Sequence, residues 1–289
     1  MAAPAMAAPA TAAVRFHRPD ASSSIGSRGL RSGGAGSWSG TAALPPDGQR
    51  FKRLHFVRHA EGHHNVDQTM VRAPAGRDAQ LTEGGRRQCA ALAKAVGGSS
   101  SPDFHPALFV SSPLIRTLET AALCFGSHLV GDGAMPLLAL EAVRETVNFF
   151  CDVRNPMHRN VAQMAAAGVN VDTATASVAD DDEIWNELVE RFGPPEDFIE
   201  HRESSDLAAL AARARAAFAW LGARPERDIV IVSHSSFLWH TFNMGRLAGR
   251  GLAGPPAAVC DFGGDPELEA WLAERFANAE MKSVVAEFL

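Results

Sequence analysis

Residues 54–65 read LHFVRHAEGHHN: a short, mostly apolar run, then Arg58, His59, His63, His64 and Asn65 crowded behind it around a lone Glu61. A brief apolar run bounded by polar residues suits a buried strand, so Leu54 to Val57 is a strand candidate. His55 alternates to the opposite side of that strand from Phe56 and is expected to be packed or hydrogen-bonded, not reactive. The cluster after Val57 lies at the carboxyl end of the strand, where open α/β sheets gather ligand-binding groups.

Three more clusters repeat this arrangement. Ser111-Ser112-Pro113-Leu114-Ile115-Arg116-Thr117 follows Ala107 to Val110, Arg144-Glu145 lies just past Leu137 to Leu140, and Ser233-His234-Ser235 follows Ile229 to Val232. Ser283 to Phe288 is a fifth strand candidate. Helical periodicity fills the gaps over Thr82 to Val96, Pro113 to Phe125, Asp206 to Leu221 and Pro266 to Phe276, the last capped by Asp265. This alternation predicts an α/β fold, a mostly parallel sheet sandwiched by helices. Ser112 reads as an N-cap with Pro113 at the first helical position, which would turn the helix dipole and free amides toward the same pocket.

The segment from Asn148 to Arg202 departs from the pattern. It is acidic and interrupted by Gly193-Pro194-Pro195, with helices expected at Met157 to Ala167 and Asp182 to Phe192 and no strand between them. It reads as a helical cap insertion, about 148–202, within a domain spanning 51–289. Residues 1–50 are rich in Ala, Ser, Gly and Pro and lack a durable apolar period, so they are expected to be a disordered tail or an organellar transit peptide.

The bulk composition narrows the function classes. Of 289 residues, 46% are hydrophobic and 21% charged, enough for a sizeable core, and no run of about 18 apolar residues predicts a membrane span. The net charge of −6 hides an asymmetry: residues 1–54 carry seven Lys/Arg against Asp20 and Asp47, +5, which leaves −11 for the remainder. So acidic a body is a poor nucleic-acid binder, and an anionic partner must be held by local positive groups. Cys89, Cys124, Cys151 and Cys260 show neither a disulfide framework nor zinc spacing, which points to a reducing intracellular compartment. The oligomeric state is not legible.

Two arginines, two histidines and an asparagine converging on one point would favour a phosphoryl group, because forked guanidinium donors fit tetrahedral oxygens. His59 suits a nucleophile: a neutral imidazole is available at pH 7 if its other nitrogen is fixed. Glu145 suits the acid that protonates the leaving alkoxide, with Glu61 and Glu141 as alternative carboxyls. A four-histidine metal site from His55, His59, His63 and His64 is weakened by Arg58, a fixed cation where a metal would want carboxylates. His63 and His64 read as exposed loop residues first, with lining of the substrate mouth as the alternative. Asp152 and Arg154 read either as substrate contacts or as ties between insertion and sheet.

The set Arg58-His59-Ala60 with Asn65, S-S-P-L-I-R-T-L-E-T-A at 111–121, Arg144-Glu145 and V-S-H-S at 232–235 stands in a familiar order. It resembles the histidine phosphatase superfamily in its phosphoglycerate-mutase-like branch, in particular plant and algal phosphoglycerate-mutase-like proteins. The resemblance runs from about Leu54 to Leu289 and includes Leu81-Thr82, Cys151-Asp152-x-Arg154 and F-A-N-A-E-M-K-S-V-V at 276–285. It implies a phosphohistidine at His59, phosphoryl oxygens bound by Arg58, Arg116 and His234 with Asn65 assisting, and proton transfer by Glu145. It also implies a six-stranded, largely parallel sheet and no metal or organic cofactor. Ala60 stands where many relatives carry glycine, a change tolerated if φ is negative. The expected activity is hydrolysis of a small phosphorylated metabolite. Mutase-type phosphoryl transfer and non-catalytic phospho-ligand binding are the alternatives.

Overall fold

The computed structural model describes residues 12–18, 44, 50–97, 104–193, 203–248 and 258–289. Its strands are β1 Val14–His17, β2 Phe51–Arg58, β3 Leu108–Ser111, β4 Leu137–Ala139, β5 Val171–Asp172, β6 Asp228–Ser233, β7 Cys260–Asp261 and β8 Met281–Phe288. The helices are α1 His63–Val66, α2 Thr69–Arg72, α3 Glu83–Val96, α4 Ile115–Cys124, α5 Gly126–Leu129, α6 Met157–Ala166, α7 Glu183–Phe192, α8 Leu207–Ala223, α9 Ser235–Ala248 and α10 Pro266–Ala273.

All eight strands form one sheet in the order β5-β4-β3-β6-β2-β8-β1-β7. Only β8 runs antiparallel to its neighbours, β2 and β1, so the sheet is mostly parallel as the alternating pattern predicts. Its two faces carry separate apolar layers. Along β6, Ile229 and Ile231 join Phe56, Phe218 and Phe242 on one side, while Val230 and Val232 join Val57, Phe109 and Leu118 on the other. A strand buried on both faces must be apolar throughout, which is why β3 and β6 read as continuous runs.

The register sets the site. Arg58 lies beside Ser233, Val232 beside Ser111, and Ser111 beside Ala139. The next residues along these strands, His59, His234, Ser112 and Leu140, therefore leave the sheet at one edge.

The structure corrects several expectations. Among the described residues the sheet has eight strands, not six. The tail is not wholly disordered: Val14–His17 pairs antiparallel with β8 and parallel with β7, and Phe16 is fully buried. Most of the remaining tail and the Gly193-Pro194-Pro195 turn past its first residue lie outside the described residues. The insertion does contain a strand, because β5 pairs parallel with β4 at the sheet edge through Val171 and Asp172. The helix after β3 begins at Ile115, not Pro113, and its first amide is capped by Asp78, whose Oδ1 accepts from Ile115 N at 2.7 Å. Asp78 also accepts from Asn155 N and Asn160 Nδ2, so the N-terminus of α4 is already occupied by a carboxylate.

Candidate active site

His59 is the first residue beyond β2, and its backbone is clamped from three sides. Its N–H donates to Ser233 O at 2.9 Å, its carbonyl accepts from Asn278 Nδ2 at 3.1 Å, and the next amide, Ala60 N, donates to Thr120 Oγ1 at 3.0 Å. Ala60 is buried and is absent from the positive-φ residues Asp78, Ser177 and Ala279, so alanine meets no backbone strain there. The His59 ring donates from Nδ1 to Ala60 O at 2.7 Å. That bond fixes the tautomer with the proton on Nδ1 and leaves the lone pair on Nε2.

The His234 ring lies 5.1 Å from that of His59, centroid to centroid. Arg116 Nε donates to His234 Nδ1 at 3.3 Å, which makes Nδ1 the acceptor and puts the His234 proton on Nε2, toward Ser112 Oγ at 2.8 Å. Arg116 itself is 1% exposed. Its Nη1 donates to Cys151 O at 2.6 Å and its Nη2 lies 3.4 Å from Asp152 Oδ1. Arg58 donates from Nη1 to Phe276 O at 2.8 Å, and its buried Nε has no protein partner.

Burial, and then Arg116, hold His59 and His234 well below the ordinary histidine range. Both are therefore neutral at pH 7. Burial also pushes the Asp152 carboxyl up to about 6, against the pull of Arg116. Both Asp152 oxygens are engaged, Oδ2 by the amides of Asn148 and Phe149.

Glu145 closes the arrangement from the β4 side. Its Oε1 accepts from Thr146 N at 2.9 Å and Phe237 N at 2.8 Å, and its Oε2 accepts only from Ser236 N at 3.2 Å. Oε2 thus keeps more free acceptor capacity than Oε1. The neighbouring Arg144 is fully buried in a two-pronged bond to Asp182, with Nη1 to Oδ1 at 2.6 Å and Nη2 to Oδ2 at 3.0 Å. Ser233 Oγ, at the end of β6, donates to Val143 O at 2.7 Å and pins the same turn.

The other candidates are placed as follows. Asn65 accepts from Gly62 N through Oδ1 at 2.9 Å, so its side chain braces the loop behind His59. Glu61 accepts from Thr82 Oγ1 at 2.5 Å, and Glu141 accepts from Arg144 and Arg154, so each alternative carboxyl has a structural tie. Arg154 donates to the carbonyls of Asn155, Ala179, Asp180 and Asp181, which makes it a tie within the insertion. The four-histidine set is not assembled: His55 binds Ser283 and Asp228 four residues back along the strand, and His63 is exposed. Among the described residues, no group of three or more His, Cys, Asp or Glu side chains is arranged to hold a metal.

His64 is not the exposed loop residue expected. It is 8% exposed, with its ring 5.5 Å from that of His59. Ser112, Asp152, Thr120 and Asn278 also touch the site's histidines, their backbone or Arg116. All four lay inside quoted motifs, but only spatial contact reveals what they hold.

Residues 54–147 match the family model of the histidine phosphatase superfamily (branch 1). Phosphoglycerate mutase-like protein 1 of Arabidopsis thaliana is 30% identical over 264 residues, covering 82% of this chain and 81% of the relative. The chain belongs to the histidine phosphatase superfamily, in its phosphoglycerate-mutase-like branch. Phosphoglycerate mutase-like protein 2 of the same plant is 27% identical over 288 residues, covering 82% of this chain and 74% of the relative. Among solved structures, a phosphoglycerate mutase from Bacillus anthracis str. Sterne covers 82% of this chain and 89% of its own at 18% identity and a TM-score of 0.46. In this superfamily member, the matched region contains Arg58, His59, Asn65, Arg116 and Glu145, whereas His234 lies beyond it.

Proposed function

We propose that the protein is a phosphatase that hydrolyses a small phosphorylated metabolite through a phosphohistidine on His59. The observation that carries this reading is the fixed tautomer of His59: Nδ1 is committed to Ala60 O, and Nε2 keeps its lone pair beside His234 and Arg116. In the first step the Nε2 lone pair forms an N–P bond as the ester P–O bond breaks in line. The leaving alkoxide takes a proton from Glu145. In the second step Glu145 takes a proton from water, the water oxygen bonds to phosphorus, and the N–P bond breaks to release phosphate.

Arg58, Arg116 and His234 stabilise the charge on the equatorial oxygens, with Asn65 bracing the loop that holds the nucleophile. His234 presents an N–H at Nε2, which a phosphoryl oxygen can accept in place of Ser112 Oγ. Cys151 and Asp152, at the start of the 148–202 insertion, orient Arg116, so the insertion acts as a wall of the pocket. Every step is assigned to side chains, with no metal or organic cofactor.

Phosphate release from an aryl phosphate in the presence of chelator tests this reading. It predicts release that persists with chelator and is lost in His59→Ala. Turnover abolished by chelator, or unaffected by His59→Ala, would overturn it. Positional exchange between phosphoglycerates that depends on a bisphosphate primer, in place of net release, would make the protein a mutase.

A further inference from the structure

Gly62 and His64 form a unit that the chemistry above does not use. A Cβ on Gly62 would meet both Nδ1 and Cε1 of His64 at 2.8 Å, so that edge of the ring lies directly against the glycine backbone. The chain is held in this pose by His63 N donating to Gln80 O at 3.0 Å and by the Gly62–Leu81 bridge. His63 turns to solvent while His64 turns in.

Buried polar atoms in folded proteins nearly always have a partner, yet His64 Nδ1 is buried with none. An orphaned lone pair is tolerated better than an orphaned N–H, so the tautomer with the proton on Nε2 is favoured. No described residue accepts from that Nε2–H. Burial, then Arg116 and Arg58, push the ring's pKa down to about 2, so His64 is a neutral donor among fixed cations. Such surroundings favour an anion, and a neutral imidazole adds a directed hydrogen bond without further charge repulsion.

We propose that His64 is a substrate-binding residue whose Nε2–H donates to a non-bridging oxygen of the phosphoryl group attacked by His59. This rests on reading His59 as the nucleophile. Gly62 is then a specificity device: its missing side chain lets the His64 ring seat beside His59.

The test uses the full chain and two variants, His64→Phe, which keeps a ring without the donor, and His64→Gln, which restores an amide donor. Inorganic phosphate and orthovanadate affinities are measured by calorimetry and by inhibition, beside kcat, KM and Tm. His64→Phe is predicted to weaken both anions about 10- to 100-fold and to lower kcat/KM by a similar factor. Its Tm should not fall, and His64→Gln should recover part of the affinity. Unchanged affinity in a folded His64→Phe overturns the proposal. So does equal loss in both variants with a lowered Tm, which marks a packing role. Phosphate binding needs no turnover, so lost binding in His64→Phe alongside a wild type that forms no phosphohistidine would sink the nucleophile reading and leave His64 only as a phosphate ligand of the same pocket.

Discussion

Glu145 Oε1 sits 2.8 Å from the amide of Phe237, in the first turn of the helix that starts directly after His234. The proposed acid and the second pocket histidine are therefore placed by the same strand-to-helix junction. Glu145→Gln keeps one oxygen for Phe237 N and Thr146 N but cannot also accept at Ser236 N. Turnover of a substrate with a poor leaving group should fall about 10²- to 10⁴-fold, with far less loss on an activated aryl phosphate. Equal losses on both substrates, measured side by side, would remove Glu145 from the proton-transfer role.

Arg116 holds three contacts at once, to His234, Cys151 and Asp152, and lysine cannot reproduce that fork. Arg116→Lys should weaken inorganic phosphate binding by about 10- to 100-fold, the loss of one charge-assisted hydrogen bond. A wild-type phosphate affinity in a folded Arg116→Lys would show that the guanidinium only organises the pocket.

The neutral buried histidines make stability sensitive to acid. His64 titrates near 2 in the folded state, below the ordinary histidine value, so its contribution is complete above about pH 6.5. Below that pH the unfolded chain binds a proton that the folded chain refuses, and stability is lost. Between pH 7.5 and 5.5 this one group should cost about 1.4 kcal/mol. Denaturant unfolding should therefore show His64→Phe losing about that much less than the wild type over the same interval. Parallel losses would contradict the assignment.

The first strand lies within a segment whose composition argues against order. Phe16 is fully buried and meets Phe218 at 5.8 Å, Phe242 at 5.9 Å and Phe56 at 6.1 Å, ring to ring. Phe16→Ala should lower the unfolding free energy by about 3–5 kcal/mol. A change below about 1 kcal/mol would mean that residues 14–17 contribute nothing to the domain.

These results mark where local sequence was sufficient. The central strands were legible to within a few residues because each is an apolar run ended by a polar cluster. Their shared edge followed from the rule that ligand groups gather at strand carboxyl ends, and the register of Arg58 with Ser233 realises it. The edge strands were not legible. Val14–His17 and Val171–Asp172 are four and two residues long and gain their partners from distant parts of the chain. The cap on α4 comes from Asp78, 37 residues before Ile115, so Ser112-Pro113 was a reasonable local signal overridden by a tertiary contact. The burial of His64 depends on the close pass of Gly62 by Leu81, and spacing alone does not encode it.

The most direct test of the account is the position of the phosphoryl group in the trapped enzyme. Rapid quenching during turnover of a phosphoester, followed by peptide mass spectrometry under alkaline conditions that preserve phosphohistidine, should place an acid-labile phosphate on His59. Active enzyme that carries the label on another residue, or that never carries one, would contradict it.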